Sequence, residues 1–193
     1  MFGQMVDVTM AVDHSHMYQS DAMVNGLNLG LLIIRVIVGF TLATHGLNKI
    51  FGGGKIPGTT RWFASMGMKM PKANAWIAAL TEIGSGALLI LGLLTPLAAA
   101  GLVAITLVAL ITSHLNNGWF VFKPGQGIEY VLVLAMVGIG LACTGPGQWS
   151  VDHAAEIHWA GVPSGLIIVL VAGVGGALLQ LATFWRPKSV ASN

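Results

Sequence analysis

The chain has 193 residues, 55% of them apolar and only 8% charged, with a mean hydropathy of +0.79. A soluble domain carries about a quarter charged residues, so this composition excludes one and indicates an integral membrane protein. The formal charge of +2 comes from basic residues flanking apolar segments, which argues against nucleic acid, and the single Cys143 excludes an internal disulfide, a CxxC pair and a cysteine metal cage.

Residues 1–27 read as a polar N-terminal tail without Lys or Arg, unlike the basic n-region of a secretory signal. A helix needs about 20 apolar residues to cross the bilayer, and spans are predicted near 28–50, 73–94, 97–115, 127–143 and 163–185. With five spans, Lys49, Lys55, Arg61, Lys69, Lys72, Lys123, Arg186 and Lys188 all fall on one side. The positive-inside rule then places the N-terminus outside and the C-terminus in the cytoplasm. The 52–72 loop holds a short surface helix, with Thr59 or Thr60 as its cap and Trp62, Phe63 and Met66 on one side.

Thr44-His45-Gly46-Leu47-Asn48 is similar to Ser113-His114-Leu115-Asn116-Asn117, and each is followed by a helix carrying a carboxylate, Glu82 or Glu129. This weak repeat predicts two hairpins in the same orientation. The expected fold is an all-α integral membrane protein: a four-helix transmembrane bundle (28–152) plus a fifth C-terminal transmembrane helix within 153–193. His45, His114, Glu82 and Glu129 are expected together in the cytoplasmic half of the bundle.

Glu82 lies about ten residues into its span, roughly 15 Å deep, where an ionisable group needs a partner or a functional cavity. Arg35 is similarly deep, so an Arg35–Glu82 ion pair is expected. Lys49 shares a helix face with His45 and can snorkel to the interface. Two histidines at similar depth can ligate a b-type haem, hydrogen-bond the two carbonyls of a quinone, or cap buried backbone. A histidine beside a carboxylate also suits proton transfer near neutrality. Glu129 and Tyr130, at the edge of the fourth span, can lead protons in or cap the helix. Outside, His14 and His16 in a Met-rich tail and His153 and His158 beside Asp152 and Glu156 offer donors suited to copper or zinc, or are simply solvated.

The stretch from about Leu31 to Asp152 resembles the DoxX family of small prokaryotic membrane proteins. The resemblance rests on Arg35, Gly39, His45-Gly46, Lys49, Phe51-Gly52, Trp62-Phe63-Ala64-Ser65-Met66-Gly67, Glu82 and Gly86-Ala87-Leu88-Leu89-Ile90-Leu91-Gly92-Leu93-Leu94-Thr95. It continues through His114, Gly118-Trp119-Phe120, Glu129-Tyr130, Gly145-Pro146-Gly147 and Ser150-Val151-Asp152. The resemblance implies a four-helix fold in the plasma membrane and a link to quinol oxidases and thiosulfate:quinone oxidoreductases. The N-terminal tail and the fifth span are additions to that pattern. Gly173 and Ala177 in the added span form a small-residue pair suited to helix packing, which suggests docking to a partner subunit.

The reading that joins these signals is a membrane subunit of a quinone-linked redox complex. His45 and His114 contact the quinone, Glu82 exchanges protons with it, and Arg35, Lys49, Glu129 and Tyr130 surround it. No flavin fingerprint, iron–sulfur motif or CxxCH haem site is present, so electrons must come from another subunit. The same residues also suit a non-catalytic assembly subunit or, less specifically, a small transporter or proton channel.

Overall fold

The computed structural model describes residues 3–187, with side chains from Ser20 onward. Helix α1 (Gly3–Phe51) leads into a short α2 (Lys55–Ser65), then α3 (Pro71–Leu91) and α4 (Thr95–Ala109), which continues as a π-helical turn, Leu110–His114. After a loop come α5 (Glu129–Thr144), a single turn α6 (Val151–Ala154), and α7 (Ser164–Phe184), π-helical over Val169–Gly175. Four helical stretches are long and apolar enough to cross a membrane: Ser20–Phe51, Pro71–Leu91, Thr95–His114 and Ser164–Phe184. At 16 residues α5 is shorter, about 24 Å against a hydrocarbon core of about 30 Å. The chain is thus an all-helical, multi-pass membrane protein. Helix α4 is the most buried span, with α3, α5 and α7 packed on it, and α1 lies chiefly against α3.

Small residues bring α1 and α3 together. A Cβ on Gly39 would lie 2.6 Å from the Gly86 carbonyl, and one on Gly46 would lie 2.6 Å from the Ala79 carbonyl. Lipid tails are as apolar as leucine, so helices associate in a bilayer through such close backbone contact. This register sets which polar groups can meet. Residue 46 lies level with 79–83, and residue 39 with 86–90.

Arg35 therefore does not reach Glu82, and the expected ion pair between them is absent. Its guanidinium donates to the carbonyls of Ile90 (2.8 Å), Leu89 (3.4 Å) and Trp149. These carbonyls include two at the C-terminus of α3, where a helix has free acceptors and partial negative charge. At the other side of the same turn, the Asp152 carboxylate accepts from Leu94 N (2.7 Å) and Thr95 N (2.9 Å), capping α4. The α3–α4 turn is thus held by a cation and an anion from elsewhere in the chain.

Two further expectations are corrected. Helix α2 starts after Gly54, and Thr59 and Thr60 sit inside it, bonded back to Lys55 O and Ile56 O. Gly173 and Ala177 face α4: a Cβ on Gly173 would lie 3.0 Å from Ala100 O, and Ala177 is fully buried. The Gly173/Ala177 pair of the fifth span is therefore used within the chain, packed on α4.

The end of α7 is tied to the α2–α3 connection. Lys69 N donates to Phe184 O (2.7 Å), Arg186 N to Gly67 O (2.9 Å), and Trp185 Nε1 to Met66 O (3.0 Å). Gly67 has φ +86°, and any side chain there would collide with the Arg186 backbone.

Candidate functional site

Glu82 is met by Lys49. The ammonium lies 2.7 and 2.6 Å from the two carboxylate oxygens, and the side chains are 18% and 6% exposed. Lys49 is held inward by this contact rather than snorkelling, and Phe63 of α2 is buried on the wall of the same cavity. A charge-assisted, two-oxygen contact is what permits both charges at this depth.

Two spaces meet at Lys49 and Trp62. One is a cavity of about 70 Å³, walled by Trp62, Phe63, Met66, Met68, Ile105 and Val108, with Lys49, Glu82, Thr112, Ser113 and Gln180 as polar members. The other is an open vestibule of about 230 Å³, lined by His45, Asn48, Lys49, Lys55, Thr59 and Trp62. The ion pair thus stands between a polar entrance and an apolar interior. His45 sits one helical turn before Lys49, and its Nε2 lies 3.5 Å from the Tyr130 hydroxyl of α5. The rings meet edge to face at 6.3 Å.

Of the expected residues, His45, Lys49 and Glu82 come together, with Tyr130 at the margin. The second hairpin departs from the expected gathering. His114 lies in the π-helical turn, its Nδ1 is 2.9 Å from Gln126 O, and it lines neither space. Glu129 Oε1 accepts from Val121 N at 2.7 Å. Both residues order the 115–128 loop, whose backbone also closes on itself through Gly127 N to Phe120 O and Ile128 N to Gly118 O. An irregular segment at a membrane surface needs its backbone groups satisfied in this way.

The outer cluster is looser. His153 and His158 are exposed on a hollow beside Asp152, whose oxygens are already engaged by Leu94 and Thr95. His14 and His16 lie outside the described side chains. Among the described residues no group of three or more His, Cys, Asp or Glu is arranged to hold a metal ion.

Trp62, Met66, Met68 and Gln180 are site residues that sequence reasoning did not assign. Gln180 carried a signal: it is the lone amide in an otherwise apolar span, and such a group needs a partner in lipid.

The DoxX family profile matches residues 30–115, which hold α1 from mid-helix through α4, with Arg35, His45, Lys49 and Glu82. A Bacillus subtilis protein named "Putative oxidoreductase CatD" is 34% identical over 114 residues, covering 58% of this chain and 78% of that protein. Escherichia coli "Inner membrane protein YqjF" is 26% identical over 137 residues, 68% of this chain and 96% of its own length. "Inner membrane protein YphA" from the same bacterium is 31% identical over 128 residues. No solved structure matches at a significant level. This chain, a multi-pass membrane protein, belongs to the DoxX family.

Proposed function

We propose that the chain is a plasma-membrane subunit of a redox complex and binds a quinone or quinol ring where the vestibule meets the cavity. The observation that carries this reading is the buried Lys49–Glu82 pair, in which Lys49 lines both spaces and Glu82 lines the cavity. The oxidoreductase name of one relative is in keeping with it.

The donor set suits such a ring. Lys49 and His45 can donate to a ring oxygen, Glu82 can accept from a ring hydroxyl, and Trp62 and Phe63 supply flat apolar walls. A quinone exchanges two electrons and two protons with its quinol; the electrons cross to or from a flavin, iron–sulfur or haem centre on a partner subunit. The protons pass between the ring oxygens and this chain. Glu82 takes or gives one while Lys49 holds its charge balance, and His45, facing the vestibule, takes or gives the other. The positive-inside count puts the vestibule on the cytoplasmic side. At about 70 Å³ the cavity is smaller than the about 150 Å³ in which an engineered apolar cavity takes up benzene. The ring therefore enters through the vestibule, and Trp62, on the boundary of both spaces, is the side chain that moves.

The test is the quinone content of the protein purified in mild detergent, wild type beside His45→Leu and Glu82→Gln. Near-stoichiometric quinone in the wild type, lost from variants that elute as the intact protein does, is the expected result. Retention of quinone by both variants would place the ring elsewhere. Absence of quinone, with the variants losing only assembly with partner subunits, would assign these residues to a scaffold.

A further inference from the structure

Gln180 lines the cavity and takes no part in the ion pair. Asn74 is fully buried at the start of α3, and its Nδ2 donates to Lys69 O (2.9 Å) and Met70 O (3.4 Å). The amide orientation of Asn74 is thereby fixed: the atom facing α7 is Oδ1, an acceptor. Gln180 must meet it with its NH2, and Nε2 lies 2.8 Å from Oδ1. The two amides are thus oriented by their network. Gln180 Oε1 is then left as an acceptor, and among the described residues no group donates to it. Gln180 is partly buried and lines the cavity. This carbonyl is a free acceptor on a residue of the cavity wall, and its natural complement is a donor brought by a ligand.

The other polar groups of the cavity sharpen this demand. Ser113 Oγ donates to Met66 Sδ (3.1 Å), and Thr112 Oγ1 to Val108 O (2.8 Å). Lys49 is turned onto Glu82. What remains for a ligand is therefore mostly acceptor: the Gln180 carbonyl and the Glu82 carboxylate. In the cavity a ring carbonyl would find one remaining donor, the third N–H of Lys49. A ring hydroxyl would find partners.

We infer that the cavity selects the hydroxylated, hydrogen-donating form of an apolar ring, the phenol or quinol class, and that Gln180 determines this choice. The inference rests on the ligand reading proposed above and adds its redox preference: the site holds quinol in favour of quinone. Gln180 lies on α7, outside the residues 30–115 matched to the family. The added span thus contributes to specificity as well as packing.

The experiment measures binding of a decyl-tailed benzoquinol and of its dimethyl ether to the full chain in detergent, by calorimetry under anaerobic conditions, with wild type and Gln180→Met. The ether has the same ring and tail but no donor. Wild type is expected to bind the quinol about tenfold more tightly than the ether, the worth of one buried neutral hydrogen bond. Gln180→Met is expected to bring the two within about twofold by weakening the quinol alone. Equal binding of both probes to wild type overturns the inference, and this comparison stands even where the variant fails to fold. Discrimination that survives in a folded Gln180→Met overturns the role of Gln180. Binding of neither probe defeats the ligand reading itself, a result distinct from equal binding.

Discussion

Removing one member of the Lys49–Glu82 pair should have an effect that depends on which member is removed. Truncating one partner of a buried ion pair costs about 3–5 kcal/mol when the other is left stranded. Glu82 is 6% exposed and stands on rigid mid-helix backbone, so in Lys49→Met its charge has nowhere to go. The full penalty of about 3–5 kcal/mol is expected there. In Glu82→Leu, Lys49 keeps an exit: it already lines the vestibule, and its four-carbon stem can turn the ammonium outward. That variant should lose only about 1–2 kcal/mol, the cost of the pair's hydrogen bonds. The double variant Lys49→Met/Glu82→Leu buries no charge and should lie within about 1 kcal/mol of wild type, giving a strongly coupled cycle. The assay is denaturation in mixed detergent micelles, followed by tryptophan fluorescence and repeated for all four proteins. Equal losses for the two single variants, or additive losses in the double, would refute the reasoning.

Three further outcomes follow from the packing. Gly46→Ala places a Cβ 2.6 Å from Ala79 O and 3.0 Å from Glu82 Cβ; it should cost about 1–3 kcal/mol in the same assay, whereas Gly84→Ala, with open space around it, should leave stability unchanged or slightly raised. Arg35→Leu strips donors from the Leu89, Ile90 and Trp149 carbonyls and should lose about 2–4 kcal/mol, against about 1–2 kcal/mol for Asp152→Asn, which keeps one cap acceptor; a silent Arg35→Leu would remove the clamp from the account. Trp185→Phe deletes the bond to Met66 O that ties down the loop over the cavity, so a cysteine placed at Ala109 in a Cys143→Ser background should react several-fold faster with a membrane-permeant maleimide; an unchanged rate would show that the tie does not govern access.

The spans were legible because each one writes its own signal. Apolar length located the last four spans to within a few residues, whereas α1 begins at Gly3, inside the stretch read as a polar tail. The partner of Glu82 was not legible, because two charged residues at comparable depth do not reveal the register between their helices. Gly39 against Gly86 and Gly46 against Ala79 fix that register. Glu82 and Ile90 are eight residues apart, about 12 Å along α3, and so Arg35 and Glu82 are served by different neighbours. Lys49 looked free to snorkel because nothing local says that Glu82 lies within its reach. That His114 lines neither space was hidden for a related reason. The two motifs are alike in sequence, but the second is followed by a loop whose own backbone consumes its histidine and its carboxylate. Gln180 was visible as an amide among apolar neighbours, yet only Asn74, 106 residues away, gives its orientation meaning.

The clamp on the α3–α4 turn bears on how the chain is assembled. The two helices are adjacent in sequence, but the turn is completed by Arg35, 55 residues before Ile90, and by Asp152, 58 residues after Leu94. During synthesis from the N-terminus, Arg35 enters the bilayer before its acceptors exist, and α4 goes in before its cap has been made. A charged side chain and open helix termini in lipid are both unfavourable, so the early hairpin is held in an incomplete state. Arg35 meets the Leu89 and Ile90 carbonyls once α3 is in place, but its bond to Trp149 and the cap on α4 form only when the segment around Asp152 returns to the same surface. The middle of this protein is therefore finished last, and a truncation that stops short of residue 152 should leave α1, α3 and α4 inserted but unlocked.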